Sequence, residues 1–517
     1  MNGLAAIGNL GWLTANLPEY RRFRRDAGNV EATQRSRLER YLRDNADTAF
    51  GRQYGFADIR SFEDYAGRVP VQGYEEFEPW IQRIANGESR VLTADPVRLF
   101  EPTSGSSGPS KLIPFTASLQ QEIRQAVATW SSRNFLSQPD LLLGRAYWSL
   151  TPQMDVPEWP DSKVPIGFDE DSAYLGGIAQ WLINRTLVAD PTLRDAHDMD
   201  TFWRSTLSML LKTRDLRLIS VWHPSYLELL FQRLQETWGA LLEDLKKMDP
   251  RRARDLEDAG CDDASKIWPH LRVISCWADG HAAATIPSLQ KLFPQAAIQP
   301  KGLIATEGVV TIPLGDQRPL AIRSHFFEFI DDSGNARGSW QLEEGRRYTV
   351  VMTTGGGLYR YRLGDNVEVD GFYRDTPTLR FLGRDDAVSD YRGEKLSEEF
   401  AGQAIRNVLE ANELEARFAM LAVEDPVDPA YVLYLETDSV LPDTLAEQIE
   451  TELCTNPHYE LCVRLGQLGK ARVSRIDGNG YDIYSKRLSD SGMRIGDIKP
   501  TPLSRQSGWS RFFTGSA

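Results

Sequence analysis

Cysteine is scarce in this chain: Cys261, Cys276, Cys454 and Cys462 are the only four in 517 residues. None forms a CxxC pair, and no spacing matches a zinc pattern. His458 stands between Cys454 and Cys462, but no fourth ligand is evident, which argues against a metal site there. The expectation is a reduced, cytoplasmic protein with buried thiols. An excess of positive charge is missing too, with 59 Lys and Arg against 73 Asp and Glu and a net charge of -14. A general grip on nucleic acid needs a basic face, so none is expected. A small anion site is not excluded, because the local field decides there. No stretch approaches the roughly 18 apolar residues of a membrane span. The opening, MNGLAAIGNLGWLTANLPEY, lacks a basic start, and Asn9 and Gly11 interrupt its apolar run. It reads as a mature N-terminal helix or strand rather than a signal peptide. Internal repeats and long low-complexity segments are absent, and the tail past Pro500 reads as loosely ordered.

What remains is ordinary globular composition, 41% hydrophobic and 26% charged, over a length that allows two or more domains. Leu and Tyr at helical spacing between Pro18 and Asn45 predict an amphipathic helix that stops near Asn45. SFEDYAGRVP predicts a short helix begun by Ser61, with Asp64 three residues on as a partial capping box. DLRLISVWHPSYLELL reads strand, turn, helix; LRVISCWADG reads as a strand ending in a turn; AAIQPKGLIATEGVVTIPL offers strands around a polar break. Short apolar strands alternating with longer helices argue for an α/β fold with a substantially parallel sheet. GRRYTVVMTTGGGLYRYRLGDNVEVDGFY suits a small β-subdomain. Beyond LRFLGRDD the pattern becomes that of a compact α+β module. The expected division is a large N-terminal α/β domain, residues 1–383, and a small mobile C-terminal domain, residues 384–517, with the boundary between Gly383 and Asp386.

The richest local chemistry is TSGSSGPSK, Thr103 to Lys111. Gly105 and Gly108 let backbone N–H groups approach an anion. Thr103, Ser104, Ser106, Ser107 and Ser110 can each donate a hydrogen bond, and Lys111 adds a positive charge. These are the parts of a phosphate cradle. The spacing is not that of a Walker A loop, and a flexible Ser/Gly linker has the same composition. Predicted core elements on both sides, a strand before it and a helix in ASLQQEIRQAVATW after it, favour the site.

The pattern [ST]-S-G-[ST]-[ST]-G-x-x-K resembles the phosphate-binding loop of the adenylate-forming superfamily of acyl-CoA ligases, luciferases and adenylation domains. From about Leu38 to Lys499 the chain more closely resembles the auxin-responsive acyl-acid amido synthetases, the Gretchen Hagen family. The resemblance is carried by TAFGRQYGF, VPVQGYEEFEPWIQRIANGESRVLT, SVWHPSYLELL, CWADG, GLIATEGVVTIPL, TTGGGLYRYRLGD, FLGRDDAVSDYRGEKLSEE and GDIKP. It implies an ATP-dependent enzyme. A carboxylic acid attacks the α-phosphate of ATP, giving an acyl-adenylate and pyrophosphate, and the amine of an amino acid then displaces AMP. The partners implied are a small carboxylic acid and an amino acid, on a protein expected to be a monomer.

By that resemblance the loop from Ser104 to Lys111 serves the β- and γ-phosphates, Thr306 bonds the α-phosphate, and Glu307 holds Mg2+, a hard cation suited to a carboxylate. Asp365 accepts from the ribose hydroxyls. Arg384 and Asp385 lie at the hinge. Lys499, after a glycine turn in RIGDIKP, reaches the adenylation site in one domain orientation and stabilises charge there. Leu303 stands where the superfamily usually has an aromatic residue, and Ala305 replaces a hydroxyl. Tyr359 is either near the nucleotide or a core aromatic. The acyl pocket is expected between Ile123–Trp130, Val221–Tyr226 and Cys276–Asp279. Trp130, Trp222 and Trp277 there are either an aromatic wall or core. A lone histidine among apolar residues is usually structural, so His223 and His325 receive no catalytic role. An acid ligase passing its acyl group to CoA or a carrier thiol shares the first half-reaction. A nucleotide-binding protein without catalysis is the reading from another class.

Overall fold

The computed structural model describes residues 3–103, 111–148, 162–167, 186–188, 199–384, 388–389, 391–424, 429–491, 493 and 498–514. Among them the chain divides into two compact units. The larger runs from the N-terminus to Phe381, apart from Gly364–Asn366, which group with the smaller unit, Leu382–Ala517.

The first helix, Gly3–Asp26, carries Asn9 on its buried side. That polar break anchors the helix: its side-chain amide donates to the carbonyls of Leu142 at 3.1 Å and Gly144 at 2.8 Å. The helical spacing from Pro18 to Asn45 resolves into two helices, Gly3–Asp26 and Val30–Asn45. They part at Gly28 and Asn29, both poor helix formers. Ser61 caps Phe62–Arg68 by accepting from the Asp64 N–H. The Asp64 carboxylate reaches the N–H of Arg60 rather than of Ser61, so the return half of the box is displaced by one residue. Among the described residues no helix is long and apolar enough to cross a membrane.

Two sheets form the larger unit's frame. One has five strands in the order Leu187–Val188, Arg145–Trp148, Leu216–Ser220, Val273–Cys276, Ala297–Pro300, every pair parallel. Leu216–Ser220 and Val273–Cys276 are buried along their whole length, which explains their unbroken apolar runs. Phe231, Leu234, Trp268 and Phe293 pack in the core around them. The other sheet orders Ala336–Gly338, Phe326–Ile330, Arg347–Thr353, Tyr361–Tyr373 and Thr376–Arg384. Its first three strands pair antiparallel, as expected of a β-subdomain. Phe326, Phe327, Val350 and Tyr359 join residues of the N-terminal helices in a second core.

The smaller unit has a mixed four-stranded sheet in the order Gly469–Arg475, Ala430–Glu436, Phe418–Glu424, Leu503–Ser504. Helices Glu398–Ala411, Leu445–Leu453, Pro457–Arg464 and Gly480–Asp490 accompany it, giving the α+β module. All four cysteines are free. Cys276 and Cys462 are buried, whereas Cys261 and Cys454 are only partly so, a departure from the expectation of uniformly buried thiols.

Candidate functional site

The hydroxyl-rich loop joins two short strands, Leu99–Pro102 and Leu112–Phe115, paired antiparallel with Pro102 opposite Leu112. Helix Ala117–Ser137 follows, its N-terminus capped by Thr116. The stretch KLIPF is therefore the return strand of a hairpin. The loop's two described ends are bonded to each other: the Thr103 N–H donates to the Lys111 carbonyl at 2.8 Å, and the Lys111 N–H donates to Thr103 Oγ1 at 3.2 Å. Ser104, Gly105, Ser106, Ser107 and Gly108 lie outside the described residues. The Lys111 ammonium stands 5.8 Å from the ring centroid of Tyr74, within the range of a cation–π contact. The Tyr74 hydroxyl in turn accepts from the Leu112 N–H at 2.8 Å.

Thr306 and Glu307 occupy the turn of a second hairpin, Ile304–Ala305 with Gly308–Val309. Glu307 is buried, and its carboxylate accepts from the Tyr361 hydroxyl at 3.1 Å. No basic group lies within ion-pair distance of it among the described residues. Burial first, then the charges of Glu78 and Glu307, push the Tyr74 phenol above its ordinary value. Tyr74 thus stands near both Lys111 and Glu307. The segment entering its helix is zipped to the strand of Tyr361: Gln72 N–H donates to the Arg360 carbonyl and Arg362 N–H to the Gln72 carbonyl. Phe77, one turn along, meets the Tyr361 ring edge-on at 5.9 Å.

A buried polar network lies behind the second hairpin. His325 Nε2 accepts from the Val309 N–H at 3.1 Å, and its Nδ1–H donates to Glu122 at 3.0 Å. The same carboxylate accepts from the Tyr41 hydroxyl at 2.6 Å and the Gly355 N–H at 2.9 Å, with Arg37 at 3.7 Å. Gly308 sits so close to this group that a Cβ would stand 2.5 Å from His325 Nε2. His325 is structural, as expected, but the structure it supports is the turn holding Glu307.

Tyr359 resolves to the core. Its hydroxyl donates to the Leu92 carbonyl at 2.8 Å and its ring stacks on Phe50. Leu303 is partly buried, and its N–H donates to Thr311 Oγ1 at 2.8 Å. His223 shares a hydrogen bond with Ser225 at the start of helix Ser225–Met248. Trp130 donates to Gln299 at 2.8 Å and lines an apolar cavity with Trp12, Val127, Phe135, Trp148 and Leu218. Trp222 and Trp277 pack on each other with centroids 5.3 Å apart and are not among that cavity's lining residues.

Asp365 belongs to the buried series of strand Tyr361–Tyr373, where buried and more exposed residues alternate. Arg384 approaches it to 3.8 Å. Asp385 lies outside the described residues. In the smaller unit Lys499 is exposed, but its backbone is tied down. The Tyr481 and Tyr484 hydroxyls donate to the carbonyls of Ile498 at 3.3 Å and Lys499 at 2.9 Å. Sequence reasoning missed Tyr74, Glu122 and Tyr361. Tyr361 lies inside YRYRLGD and carried that signal; Glu122 in a helix of ordinary composition carried none.

Family models cover most of the chain: the GH3 family N-terminal domain matches residues 19–298, the central domain 319–384 and the C-terminal domain 399–508. The chain is 24% identical to the Arabidopsis thaliana indole-3-acetic acid-amido synthetase GH3.3, over 73% of this chain and 71% of that protein. It is 23% identical to the jasmonoyl--L-amino acid synthetase JAR6 of Nicotiana attenuata, over 89% and 87%. Its fold matches the solved AtGH3.15 acyl acid amido synthetase in complex with 2,4-DB with a TM-score of 0.84, at 20% identity, covering 97% of this chain and 96% of that one.

Proposed function

The chain belongs to the GH3 family, and we propose that it is an ATP-dependent acyl-acid amido synthetase that activates a small carboxylic acid and joins it to the amine of an amino acid. The observation that best supports this is the pairing of Lys111 with Tyr74 at the mouth of a hydroxyl-rich loop, while Tyr74 also senses the buried carboxylate of Glu307. A cation and an anion carried on two separate turns suit a polyphosphate bound with a divalent cation.

Glu307 fits the magnesium role on its own chemistry. A buried carboxylate that accepts one phenol hydrogen bond, with no basic partner among the described residues, has oxygen lone pairs left for a hard cation. Magnesium there would neutralise phosphate charge. Lys111 and the loop hydroxyls would bind the β- and γ-phosphates, and the Thr306 hydroxyl the α-phosphate. Asp365, oriented by Arg384, would accept from the ribose hydroxyls. Lys499 would lie against the developing charge between carboxylate and α-phosphate, where an ammonium stabilises the transition state more than the ground state. Attack by the acid's oxygen breaks the bond from the α-phosphorus to the bridging oxygen, and pyrophosphate leaves. Amine attack on the acyl carbon then releases AMP and a proton. Four free cysteines accord with a reducing cytoplasm, and the protein is taken as a monomer.

Acid-dependent ATP–pyrophosphate exchange over aryl, indolyl and alkyl acids tests the first half-reaction. Product analysis with amino acids against CoA tests the second. Lys499→Ala is expected to slow exchange strongly while ATP still binds. A broad panel in which no acid supports exchange would refute the reading, and acyl-CoA as the sole product would replace amide synthesis with thioester synthesis.

A further inference from the structure

At the carboxyl ends of the parallel strands, one row of side chains has no role in the nucleotide chemistry above. Ser220, Ser275 and Gln299 are register partners on three adjacent strands, so their side chains emerge on the same face. Lys301 follows the last strand, where its N–H donates to the Cys276 carbonyl at 2.8 Å. Its ammonium reaches back along the row to donate to Ser220 Oγ at 2.8 Å and stands 4.4 Å from the ring centroid of Trp222. Ligands of open α/β sheets bind outside this end of the strands.

The row is incomplete as it stands. No carboxylate lies within ion-pair distance of Lys301 among the described residues. Arg360 pairs with Glu328, Arg323 with Glu19 and Asp26, Arg145 with Asp215; Arg252, which also lacks a carboxylate among the described residues, is instead satisfied by the carbonyls of Leu211 and Ile267. Desolvation holds the Lys301 ammonium down at about 8, with only the Cys276 thiol opposing it. Ser275, 1% exposed, has a hydroxyl with no hydrogen-bond partner. Gln299, by contrast, is fully engaged, accepting from Trp130 and exchanging hydrogen bonds with Asn134. Buried polar groups left without partners are costly. What is left open here can donate: an ammonium, which only donates, and the hydroxyls of Ser275 and Ser220, each able to turn its proton toward a ligand. With the one fixed charge positive, the set favours an anion over a cation or a bare hydrocarbon.

We propose that Lys301, Ser220 and Ser275 form a carboxylate-binding site that receives one of the enzyme's two organic substrates. This rests on the amido synthetase reading, in which both the acyl acid and the amino acid carry a carboxylate. The ammonium pairs with the carboxylate, Ser275 donates to it, and the Trp222 and Trp277 pair supplies an aromatic flank. Lys301 is then a specificity-determining residue.

The test uses full-length protein labelled with 13C at lysine Cε, the Lys301 resonance being assigned by its loss in Lys301→Met. Indole-3-acetate, benzoate and L-alanine are titrated separately, with indole-3-acetamide as the uncharged control, and dissociation constants are measured in parallel. Expected is a probe that moves the Lys301 resonance and binds Lys301→Met more weakly by at least about tenfold, while Lys301→Arg keeps most of the affinity. ATP affinity, unchanged in both variants, controls for folding. Movement with an acid but not L-alanine assigns the site to the acyl substrate, and the reverse assigns it to the acceptor. The proposal falls if no probe both moves the resonance and requires Lys301. Exchange activity separates the two readings. Lys301-dependent binding without exchange removes adenylation and keeps the site; exchange with no Lys301-dependent probe removes the site and keeps adenylation.

Discussion

Replacing Lys301 by methionine should make the ligand-free protein more stable at neutral pH. Burial holds the ammonium at about 8 against an ordinary 10.5, and each pH unit between the two values corresponds to about 1.36 kcal/mol. Carrying the charge at pH 7 therefore costs the folded chain about 3 kcal/mol. Methionine matches the length and removes the charge. It also removes the hydrogen bond to Ser220, which returns about 1 kcal/mol, leaving a net gain of about 2 kcal/mol. The gain shrinks with pH and turns into a small loss once the lysine is neutral in both states. Between about 8 and 10.5 the unfolded wild-type chain holds a proton that the folded chain has released, so wild-type stability rises through that window. Above it the variant keeps only the loss of the hydrogen bond. The neighbouring Cys276 thiol, pushed up to about 12 by burial, stays protonated across the range. Urea unfolding of the larger unit at pH 7 and pH 10, wild type against Lys301→Met, measures the difference. A variant that is less stable at pH 7, or a difference that does not change with pH, would show that the ammonium is not desolvated.

Glu122→Gln should destabilise by about 3 kcal/mol: the amide oxygen can keep His325 and Gly355, but its NH2 then faces Tyr41 and Arg37, and urea unfolding reads the loss. Gly308→Ala should cost about 1–3 kcal/mol through overpacking and lower exchange activity as well, because the new methyl meets a histidine held on both sides; unchanged activity would mean that the turn moves without consequence. Tyr361→Phe removes the one described hydrogen-bond donor to Glu307 and should raise the magnesium requirement of exchange on the order of tenfold, read by metal titration at fixed ATP.

The alternation of short strands and long helices made the α/β class legible, because fully buried parallel strands are continuous apolar runs such as LRLIS and VISC. The small β-subdomain was legible from its strands and turns. Harder to read was anything decided by long-range pairing. Leu112–Phe115 reads only as a short extended stretch before the helix, but that it pairs with Leu99–Pro102 to close the loop at its base could not be read, because four residues are too few for periodicity to declare a partner. The motif YRYRLGD shows a related gap. Its two tyrosines sit on opposite sides of Arg360, which has positive φ, so Tyr359 goes to the core and Tyr361 to Glu307. Strand alternation alone would put both on one face. Lys111 was legible in the composition of its loop, whereas Glu307 was found by resemblance. Lys301, two residues before Leu303, belongs to no motif, and only the absence of a counter-charge around it draws notice.

The placement of Glu307 shows why these unnoticed residues matter. A hairpin of two residue pairs cannot hold its own position, since isolated two-stranded ribbons are marginal even when longer. Its location must come from what it is bonded to. On one side that is Tyr361, on a strand stitched through Gln72 to the segment before the Tyr74 helix. On the other it is His325, fixed by Glu122, which also holds the Gly355 N–H and the Tyr41 hydroxyl. A carboxylate accepting from several donors at once is needed there, because an apolar residue would leave His325 Nδ1–H and the Gly355 N–H buried without partners. The turn carrying Glu307 is therefore positioned by a buried carboxylate in a helix that begins just after the hairpin of the hydroxyl-rich loop. Displacement of Glu122 would move the carboxylate proposed to hold magnesium without touching it, so the two turns proposed to grip the triphosphate are mechanically linked through one side chain.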